Sequence, residues 1–460
     1  MNDTAFASLA LQPALIENLS SLEYLAMTPI QAKSLPHILA GKDVIGQGKT
    51  GSGKTAAFSL GLLEKLDTKH FHVQALVLCP TRELADQVAK EIRRLARAIQ
   101  NIKVLTLCGG VPFKTQTGSM ARGAHIIVGT PGRVEEHVRR GTLKLDGLST
   151  LVLDEADRML DMGFQPSLDA IIDCAPKQRQ TLLFSATYPN EIKLIAKRIM
   201  NKPVVVQVDA THGSESIRQH LFKVENGTSR FNALRLLLQQ YRPDSTLVFC
   251  NTKQETLEVA ESLNALGFSA LALNGDLEQK DRDRILVRFA NKSVSILVAT
   301  DVAARGLDID ALDAVINYNV ANDLEVHIHR VGRTGRAGSS GIACTLFSEN
   351  EQYKIERLEA YLKHSIDVEA LPSLNLLDKP TYKPPMATLQ IGGGKKQKVR
   401  AGDILGALTG DDGIDGKQVG KIQIFDQWSY VAVNRNVANH ALNKLSAGKV
   451  KGRSFRVFLM

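Results

Sequence analysis

The chain contains few aromatic residues and few cysteines for its length. Aromatic residues make up 5% of the 460 residues, and the five cysteines lie far apart, without paired spacing. This spacing argues against both a disulfide framework and a structural zinc site. No apolar run approaches the length of a membrane span, and residues 1–20 lack the charged and apolar zones of a signal peptide. We therefore expect a cytoplasmic protein that does not contact membranes.

Aliphatic residues, in contrast, are abundant and regularly placed. Short apolar runs alternate with segments of helical periodicity, first at residues 75–79, 125–128, 151–153 and 181–184. The alternation returns at residues 246–250, 269–273, 295–299 and 314–318. Strands that alternate with helices are typical of parallel sheets covered by helices. The pattern predicts an α/β fold with two doubly wound parallel sheets.

A glycine-rich segment, residues 48–55, follows the first apolar run of the chain. Its glycines free the backbone to turn N–H groups toward an anion, and a helix that begins at Lys54 adds partial positive charge there. The Lys54 side chain would reach the β- and γ-phosphates, and the Thr55 hydroxyl would bind magnesium. The segment therefore predicts a site for ATP and Mg²⁺. The residues expected to form it are Gly51, Ser52, Gly53, Lys54 and Thr55.

Two adjacent acids, Asp154 and Glu155, follow the apolar run at residues 150–153. Ligands of open α/β sheets bind at the carboxyl ends of the strands, where these acids would lie. Taken alone, they would also fit a solvated acidic turn. Together with the upstream phosphate segment they predict catalysis, in which Asp154 holds magnesium through water and Glu155 orients and deprotonates the attacking water.

A third segment, residues 329–336, carries four basic residues in eight, with glycines between them. A basic run of this kind is more often a solvated face or a nucleic-acid patch. Beside a phosphate segment and a pair of carboxylates, it also fits the cations that stabilise the transition state of phosphoryl transfer. We interpret Arg333 and Arg336 as these catalytic arginines.

With these segments in this order, residues 5–350 resemble the DEAD-box RNA helicases. Further segments match the family in order: Phe6 with residues 28–31, residues 80–85, 109–110, 130–133 and 185–187, Gln279 with Arg282, and residues 299–301 and 305–308. Some positions depart from the usual family text. Glu23 and Gly48 stand where glycine and alanine are common, and neither change removes a group with an assigned chemical role.

The resemblance implies two RecA-like lobes, residues 1–208 and 215–368, with ATP bound in the cleft between them. It implies that Phe6 and Gln31 bind adenine and that Asp308 contacts the ribose. Residues expected to couple nucleotide state to strand separation are Asp157, Ser185, Thr187 and His329. Residues expected to grip RNA phosphates are Arg82, Gly110, Thr130 and Arg133 in the first lobe and Arg282, Thr300 and Arg305 in the second. Such backbone contacts carry no sequence information by themselves.

The C-terminal region is organised differently. Residues 369–385 are proline-rich, which is typical of a linker. Residues 386–460 contain twelve Lys and Arg against five Asp and Glu, a net charge of +7 out of +9 for the whole chain. Their apolar pattern predicts the order βαββαβ, that of an α+β domain like the RNA-recognition motif. Concentrated basic charge on such a unit predicts a tethered nucleic-acid anchor.

Within this tail domain, Trp428 and Tyr430 are two residues apart, so on a strand they would share one face. They would either stack RNA bases or pack into a core. The usual aromatic text of this domain type is degraded, because Gln390 and Val433 stand at aromatic positions. The basic residues expected to carry binding are Lys395, Lys396, Lys398, Arg400, Lys449, Lys451 and Arg453. The whole arrangement is similar to a bacterial subgroup of the family whose tail binds a hairpin of 23S rRNA during large-subunit assembly.

Three functions fit these patterns to different degrees. The favoured one is a monomeric ATP-dependent RNA helicase that opens short duplexes locally, anchored to 23S rRNA on a precursor of the large ribosomal subunit. The alternative is an RNA clamp or annealing chaperone that cycles ATP without unwinding and has no specific rRNA target. A DNA translocase with the same phosphate segment is disfavoured by the adenine-binding segment at residues 28–31 and by residues 185–187.

Overall fold

The computed structural model describes residues 4–48, 51–208, 217–225, 227–304, 312–335, 341–362 and 364–460. The chain forms two compact units: lobe 1, and lobe 2 together with the tail domain. Within the described residues, no helix is long and apolar enough to cross a bilayer. Arg305, Asp308 and Arg336, which the sequence assigns to RNA, ribose and the transition state, lie outside the described residues.

Lobe 1 contains a seven-stranded parallel sheet in the order β3-β4-β2-β5-β6-β1-β7. Its strands are β1 (Val44–Gln47), β2 (Ala75–Leu78), β3 (Val104–Leu107), β4 (Ile126–Gly129), β5 (Thr150–Asp154), β6 (Gln180–Ser185) and β7 (Val204–Gln207). Its helices are α1 (Pro13–Ser21), α2 (Pro29–Leu39), α3 (Lys54–Lys65), α4 (Arg82–Leu95), α5 (Phe113–Met120), α6 (Pro131–Arg139), α7 (Ala156–Asp161), α8 (Gln165–Asp173) and α9 (Asn190–Ile199).

The central strands of lobe 1 are apolar on both faces because helices cover both faces of the sheet. Val77 and Val152 belong to one buried cluster, and Leu76 and Leu151 to the other. Parallel sheets are buried in this way, so their strands are continuous apolar runs rather than alternating ones. The polar residues that end these strands are therefore brought together at one edge of the sheet.

Lobe 2 repeats this architecture, with a parallel sheet in the order β10-β11-β9-β12-β13-β8-β14. Its strands are β8 (Ile217–Lys223), β9 (Thr246–Phe249), β10 (Ala270–Leu273), β11 (Ile296–Ala299), β12 (Ala314–Asn317), β13 (Gly341–Phe347) and β14 (Val368–Glu369). Its helices are α10 (Gly227–Tyr241), α11 (Lys253–Ala265), α12 (Gln279–Ala290), α13 (Asp301–Ala304), α14 (Leu324–Val331) and α15 (Gln352–Leu362).

The tail domain has the predicted order βαββαβ and a four-stranded antiparallel sheet ordered β16-β17-β15-β18. Its strands are β15 (Met386–Ile391), β16 (Val419–Ile424), β17 (Ser429–Asn434) and β18 (Val457–Leu459), and its helices are α16 (Ala401–Thr409) and α17 (Ala438–Ala447). One sheet face packs on the helices through residues such as Leu389, Val431 and Leu445. Two parallel-sheet lobes and a small α+β domain confirm the predicted fold class.

The segment between lobe 2 and the tail domain is fastened to lobe 2. Gln239 Nε2 and Arg242 donate hydrogen bonds of 2.8 and 2.9 Å to the carbonyls of Lys379 and Pro380. Thr381 Oγ1 donates to the Gly267 carbonyl at 2.9 Å, and the Tyr382 hydroxyl bonds Asp244. The proline-rich linker therefore lies along lobe 2 and is held there by these hydrogen bonds.

Candidate nucleotide and RNA sites

The phosphate loop connects β1 to α3, and its backbone requires glycine. Gly51 and Gly53 have φ values of 80° and 93°. A Cβ atom at Gly53 would lie 2.5 Å from Gln31 Nε2. Gln31 Nε2 also donates to the Gly53 carbonyl at 3.1 Å, and Thr28 Oγ1 donates to the Ser52 carbonyl at 2.8 Å. Residues 28–31, which are expected to bind adenine, thus support by hydrogen bonds the loop that is expected to bind phosphates.

The polar atoms of this loop fit a triphosphate. The Lys54 ammonium is buried, which lowers its pKa, and it donates to the Gly48 carbonyl at 2.5 Å. Ser52 Oγ is buried and has no hydrogen-bond partner among the described residues. A cation held by one carbonyl and an unsatisfied hydroxyl at a helix N-terminus are suited to phosphate oxygens.

The two acids that the sequence predicts to be catalytic lie at the end of β5. Asp154 is buried beside Glu155, and burial, followed by the neighbouring carboxylate, raises its pKa to about 7. The described residues contain no group of three or more acidic, histidine or cysteine side chains that could hold a metal alone. The residues that the sequence assigns to magnesium, Thr55 at the start of α3 and Asp154 at the end of β5, would need the nucleotide phosphates and water as further ligands. Such sharing suits Mg²⁺, which retains waters and binds through few carboxylates.

The structure brings together three of the predicted coupling residues. Asp157 on α7 accepts hydrogen bonds from the Thr187 backbone N–H at 3.0 Å and from Thr187 Oγ1 at 2.9 Å. Its own N–H donates to Ser185 Oγ at 3.4 Å, where β6 ends. Burial alone would raise the pKa of Asp157, but the hydrogen bonds from Thr187 and Ser185 outweigh burial and hold the pKa below its usual value. This carboxylate therefore links the acidic pair to the segment after β6.

Residues predicted to grip RNA in lobe 1 gather at one sheet edge. Arg82 begins α4 after β2, Gly110 follows β3 with a φ of 77°, and Thr130 precedes α6 after β4. Arg133 donates to the Val111 carbonyl at 2.8 Å, which fixes its side chain beside the loop after β3. Strands β3, β4 and β2 are neighbours, so these residues form one continuous edge.

Lobe 2 brings together its own RNA-binding candidates in the same way. Arg282 on α12 donates to the Ala303 carbonyl at 2.6 Å. Thr300 follows β11, and its hydroxyl accepts from the Ala303 N–H at 3.4 Å. Arg282 and Thr300 thus both bond Ala303 of the short helix α13.

Sequence reasoning missed a central residue of lobe 2, Arg330, which lies between the predicted residues His329 and Arg333. Its guanidinium is buried and bonds the Asp301 carboxylate at 2.6 and 2.7 Å. It also donates to the Asn319 carbonyl at 2.7 Å and lies 5.0 Å from the centre of the Phe249 ring. Arg330 therefore ties the basic segment to the ends of β9, β11 and β12. The sequence signal that could have identified Arg330 is its position as a basic residue on the apolar side of helix α14.

The tail domain places its second sheet face against lobe 2. Thr388 and Gln390 on β15 pair with Ala432 and Tyr430 on β17, and all four side chains are buried. Thr388 Oγ1 lies 2.7 Å from Ser293 Oγ.

Further contacts tie this face to helix α12. Asn291 Nδ2 donates to Thr388 Oγ1 at 3.2 Å, and Arg284 of α12 lies near enough to Tyr430 to influence its pKa, which burial raises. Tyr430 therefore lies in a contact between domains rather than on an open stacking surface. Trp428 precedes β17 in a turn, so the two aromatics do not lie on one strand as the sequence spacing predicted.

The basic loops of the tail domain meet at one end of it. Lys395 and Lys396 donate backbone hydrogen bonds of 2.8 and 2.9 Å to the carbonyls of Phe425 and Asp426, beside Trp428. Lys451 Nζ donates to the Lys398 carbonyl at 2.8 Å, which joins the second basic loop to the first. The loop end is thus an exposed basic surface next to a half-buried tryptophan. Phe458, which pairs with Gln390 across the sheet, is 50% exposed and was not predicted.

Comparisons with known proteins agree with this arrangement. Family models match the DEAD/DEAH box helicase at residues 28–195, the helicase conserved C-terminal domain at 229–338 and the DbpA RNA binding domain at 388–458. The ATP-dependent RNA helicase DbpA of Escherichia coli is 52% identical over 99% of this chain and 100% of its own length. The chain is a DEAD-box ATP-dependent RNA helicase. It is of the DbpA type, with the RNA-binding domain of that group.

More distant relatives share the helicase core. The DEAD-box ATP-dependent RNA helicase CshA of Geobacillus kaustophilus is 43% identical over 81% of this chain and 79% of its own. Saccharomyces cerevisiae Dbp5 bound to RNA and ADP BeF3 superposes with a TM-score of 0.72 at 30% identity, covering 80% of this chain and 96% of that one. Mss116p bound to ssRNA and AMP-PNP gives a TM-score of 0.72 at 27% identity, covering 81% and 80%.

Proposed function

We propose that this helicase is anchored by its tail domain to a hairpin of 23S rRNA and opens short duplexes nearby during assembly of the large ribosomal subunit. The observation that carries the proposal is the basic loop end of the tail domain, which stays exposed while the sheet face is buried against lobe 2. The 52% identity to the ATP-dependent RNA helicase DbpA over 99% of the chain, and the match of residues 388–458 to the DbpA RNA binding domain, support an RNA helicase whose tail domain binds RNA. An rRNA precursor as partner implies a cytoplasmic protein, and we propose that it acts as a monomer.

The ATP site would work through a fixed set of groups. Gln31 and Phe6 bind the base, and Asp308 the ribose. Lys54 leaves the Gly48 carbonyl to bind the phosphates, and Ser52 Oγ gains a partner, which it lacks among the described residues. Thr55 and Asp154 would hold Mg²⁺, which would neutralise charge on the phosphates. Glu155 accepts the proton of the attacking water, and Arg333 and Arg336 stabilise the charge that develops in the transition state.

RNA binding would be divided between the core and the tail domain. The core candidates Arg82, Gly110, Thr130 and Arg133, with Arg282, Thr300 and Arg305, contact phosphates irrespective of sequence. Sequence preference would come from the loop end of the tail domain, where Trp428 offers a ring for stacking. Its basic members are Lys395, Lys396, Lys398, Arg400, Lys449, Lys451 and Arg453. Tyr430 would act by holding the tail domain on lobe 2.

The test compares RNA-stimulated ATP hydrolysis with 23S rRNA fragments, poly(A) and DNA. A variant with Lys395, Lys396 and Lys398 changed to Gln should lose at least about tenfold in apparent affinity for the preferred fragment, because each lost phosphate contact removes counterion release. The matched control changes Lys417 and Lys421, exposed on the same domain, to Gln and should keep the preference. Equal stimulation by all RNAs would refute the rRNA anchor.

Strand displacement separates the helicase from the alternative clamp. The full chain should release the short strand of a duplex placed beside the rRNA fragment when ATP is added. ATP turnover without release would favour an RNA clamp or annealing chaperone.

A further inference from the structure

Helix α7 places a buried cation, Arg158, against the catalytic acids. Its side chain is 5% exposed, and its NH1 donates to Glu155 Oε2 at 2.8 Å. Arg158 also lies close enough to influence Lys54 and Asp157 electrostatically. The guanidinium is therefore part of the charge network of the ATP site, although no catalytic role in the reaction described above requires it.

The backbone at Glu155 makes this contact necessary. Glu155 has a φ of 52° and a ψ of 52°, a left-handed conformation that is unfavourable for a residue with a Cβ. Strained residues persist only where surrounding contacts over-determine them, and such strain is common at functional sites. The Glu155 N–H donates to Asp154 Oδ1 at 3.1 Å, its carbonyl accepts from the Met159 N–H at 3.2 Å, and its carboxylate accepts from the Arg158 guanidinium at 2.8 Å. Arg158 therefore determines where the Glu155 side chain points.

Charge balance gives a second reason. Three carboxylates, Asp154, Glu155 and Asp157, are buried together within lobe 1, and Lys54 and Arg158 are the cations that influence them. Without Arg158 these acids would lose one of the two cations, and the other, the Lys54 ammonium, is expected to move to the phosphates when ATP binds. Removing one partner of a buried ion pair leaves an uncompensated charge, which is costly. Arg158, whose NH1 lies 2.8 Å from Glu155 Oε2, is the cation that stays against this carboxylate through that movement.

We propose that Arg158 is a positioning residue for ATP hydrolysis: it holds Glu155 by one carboxylate oxygen and leaves the other oxygen to accept a hydrogen bond from the attacking water. In the step itself, the water oxygen bonds the γ-phosphorus, its proton passes to Glu155, and the bond to the β-γ bridging oxygen breaks. Arg158 touches neither the water nor the phosphate and acts only through Glu155.

The first experiment measures ATP hydrolysis at saturating RNA for Arg158→Gln and Arg158→Lys in the full chain. Loss of a positioned base should lower kcat about 10- to 100-fold in Arg158→Gln and leave KM for ATP within about twofold. Arg158→Lys keeps the charge and should recover part of the loss. Arg122→Gln, an exposed arginine of the same lobe, is the control and should match the unmodified protein.

A double-mutant cycle distinguishes positioning from a merely structural role. In single-turnover reactions, Arg158→Gln should cause no further loss when Glu155 is already Gln, because the residue acts through that carboxylate. Equal losses in both backgrounds, or a KM that rises in proportion to the fall in kcat, would overturn the proposal. ATP binding measured with a fluorescent analogue should remain normal in Arg158→Gln; lost binding would also overturn it.

Discussion

The buried histidine of α14, His327, should make lobe 2 less stable in mild acid. Its side chain is 3% exposed, and its Nδ1 has no partner among the described residues. Burial, with a smaller contribution from the Arg330 guanidinium, lowers the pKa of His327 from 6.5 to about 4. The unfolded chain therefore binds a proton below pH 6.5, whereas the folded lobe binds it only below about pH 4. Stability is fully present above pH 6.5 and falls as the pH drops toward 4.

The magnitude follows from the size of the pKa shift. A difference of about 2.5 pH units at 1.36 kcal/mol each amounts to about 3.4 kcal/mol once the pH is below 4. At pH 5 the expected loss relative to pH 7.5 is about 2 kcal/mol. The variant His327→Leu replaces the imidazole with an apolar side chain of similar volume and removes this contribution. It should unfold with about 2 kcal/mol less pH dependence over the same interval.

Hydrogen exchange of the full chain measures the effect on lobe 2 directly. Amides of β9 and β12, at the centre of the sheet, exchange when the lobe opens, so their opening free energy can be followed from pH 7.5 to pH 5. His364→Leu, a change at an exposed histidine outside the core, is the control and should keep the unmodified pH dependence. If His327→Leu and the unmodified chain lose the same free energy over this interval, the reasoning is refuted.

Two further changes test the backbone and the domain contact. Glu23 has a φ of 61°, which is unfavourable for a residue with a Cβ. Glu23→Gly should therefore stabilise lobe 1 by about 1 kcal/mol and raise its melting temperature by about 2 °C. Glu23→Ala, which keeps a Cβ, should give no such gain. Thr388→Lys places a charge in the buried sheet face and should release the tail domain from lobe 2, seen as faster hydrogen exchange in residues 284–293; unchanged exchange there would contradict the contact.

The positions of the residues in the candidate nucleotide site were largely predictable because its parts are local. Residues 51–55 combine a glycine turn and a helix start, and Asp154 ends an apolar strand, so spacing alone places them at one sheet edge. The fold class followed from the same alternation of strands and helices. The bracing of the phosphate loop by Gln31 was not predicted, because it joins positions 22 residues apart through a side chain.

The tail domain shows where sequence patterns fail. The alternation of side chains along β15 and β17 predicts that the sheet has two faces. It does not reveal that both faces of these strands are buried, because the residues that cover the second face, Asn291 and Ser293, belong to lobe 2. The composition of the linker likewise predicts a spacer and not its hydrogen bonds to lobe 2. The left-handed backbone of Glu23 was detectable only as a departure from the glycine usual in the family.

Because the linker is hydrogen-bonded to lobe 2, an insertion in it should have a different effect from an insertion in a flexible linker. With a flexible linker, the local concentration of tail-bound RNA near the helicase core falls only slowly as residues are added to the linker, because the linker samples many end positions. Here the linker is bound along lobe 2 by Gln239, Arg242 and Asp244, and Arg435 of the tail domain donates to the Pro384 carbonyl at 2.6 Å. An RNA hairpin bound to the tail domain would therefore keep a constant orientation relative to lobe 2. One residue inserted in the linker would change that orientation rather than the distance over which the tail domain can move.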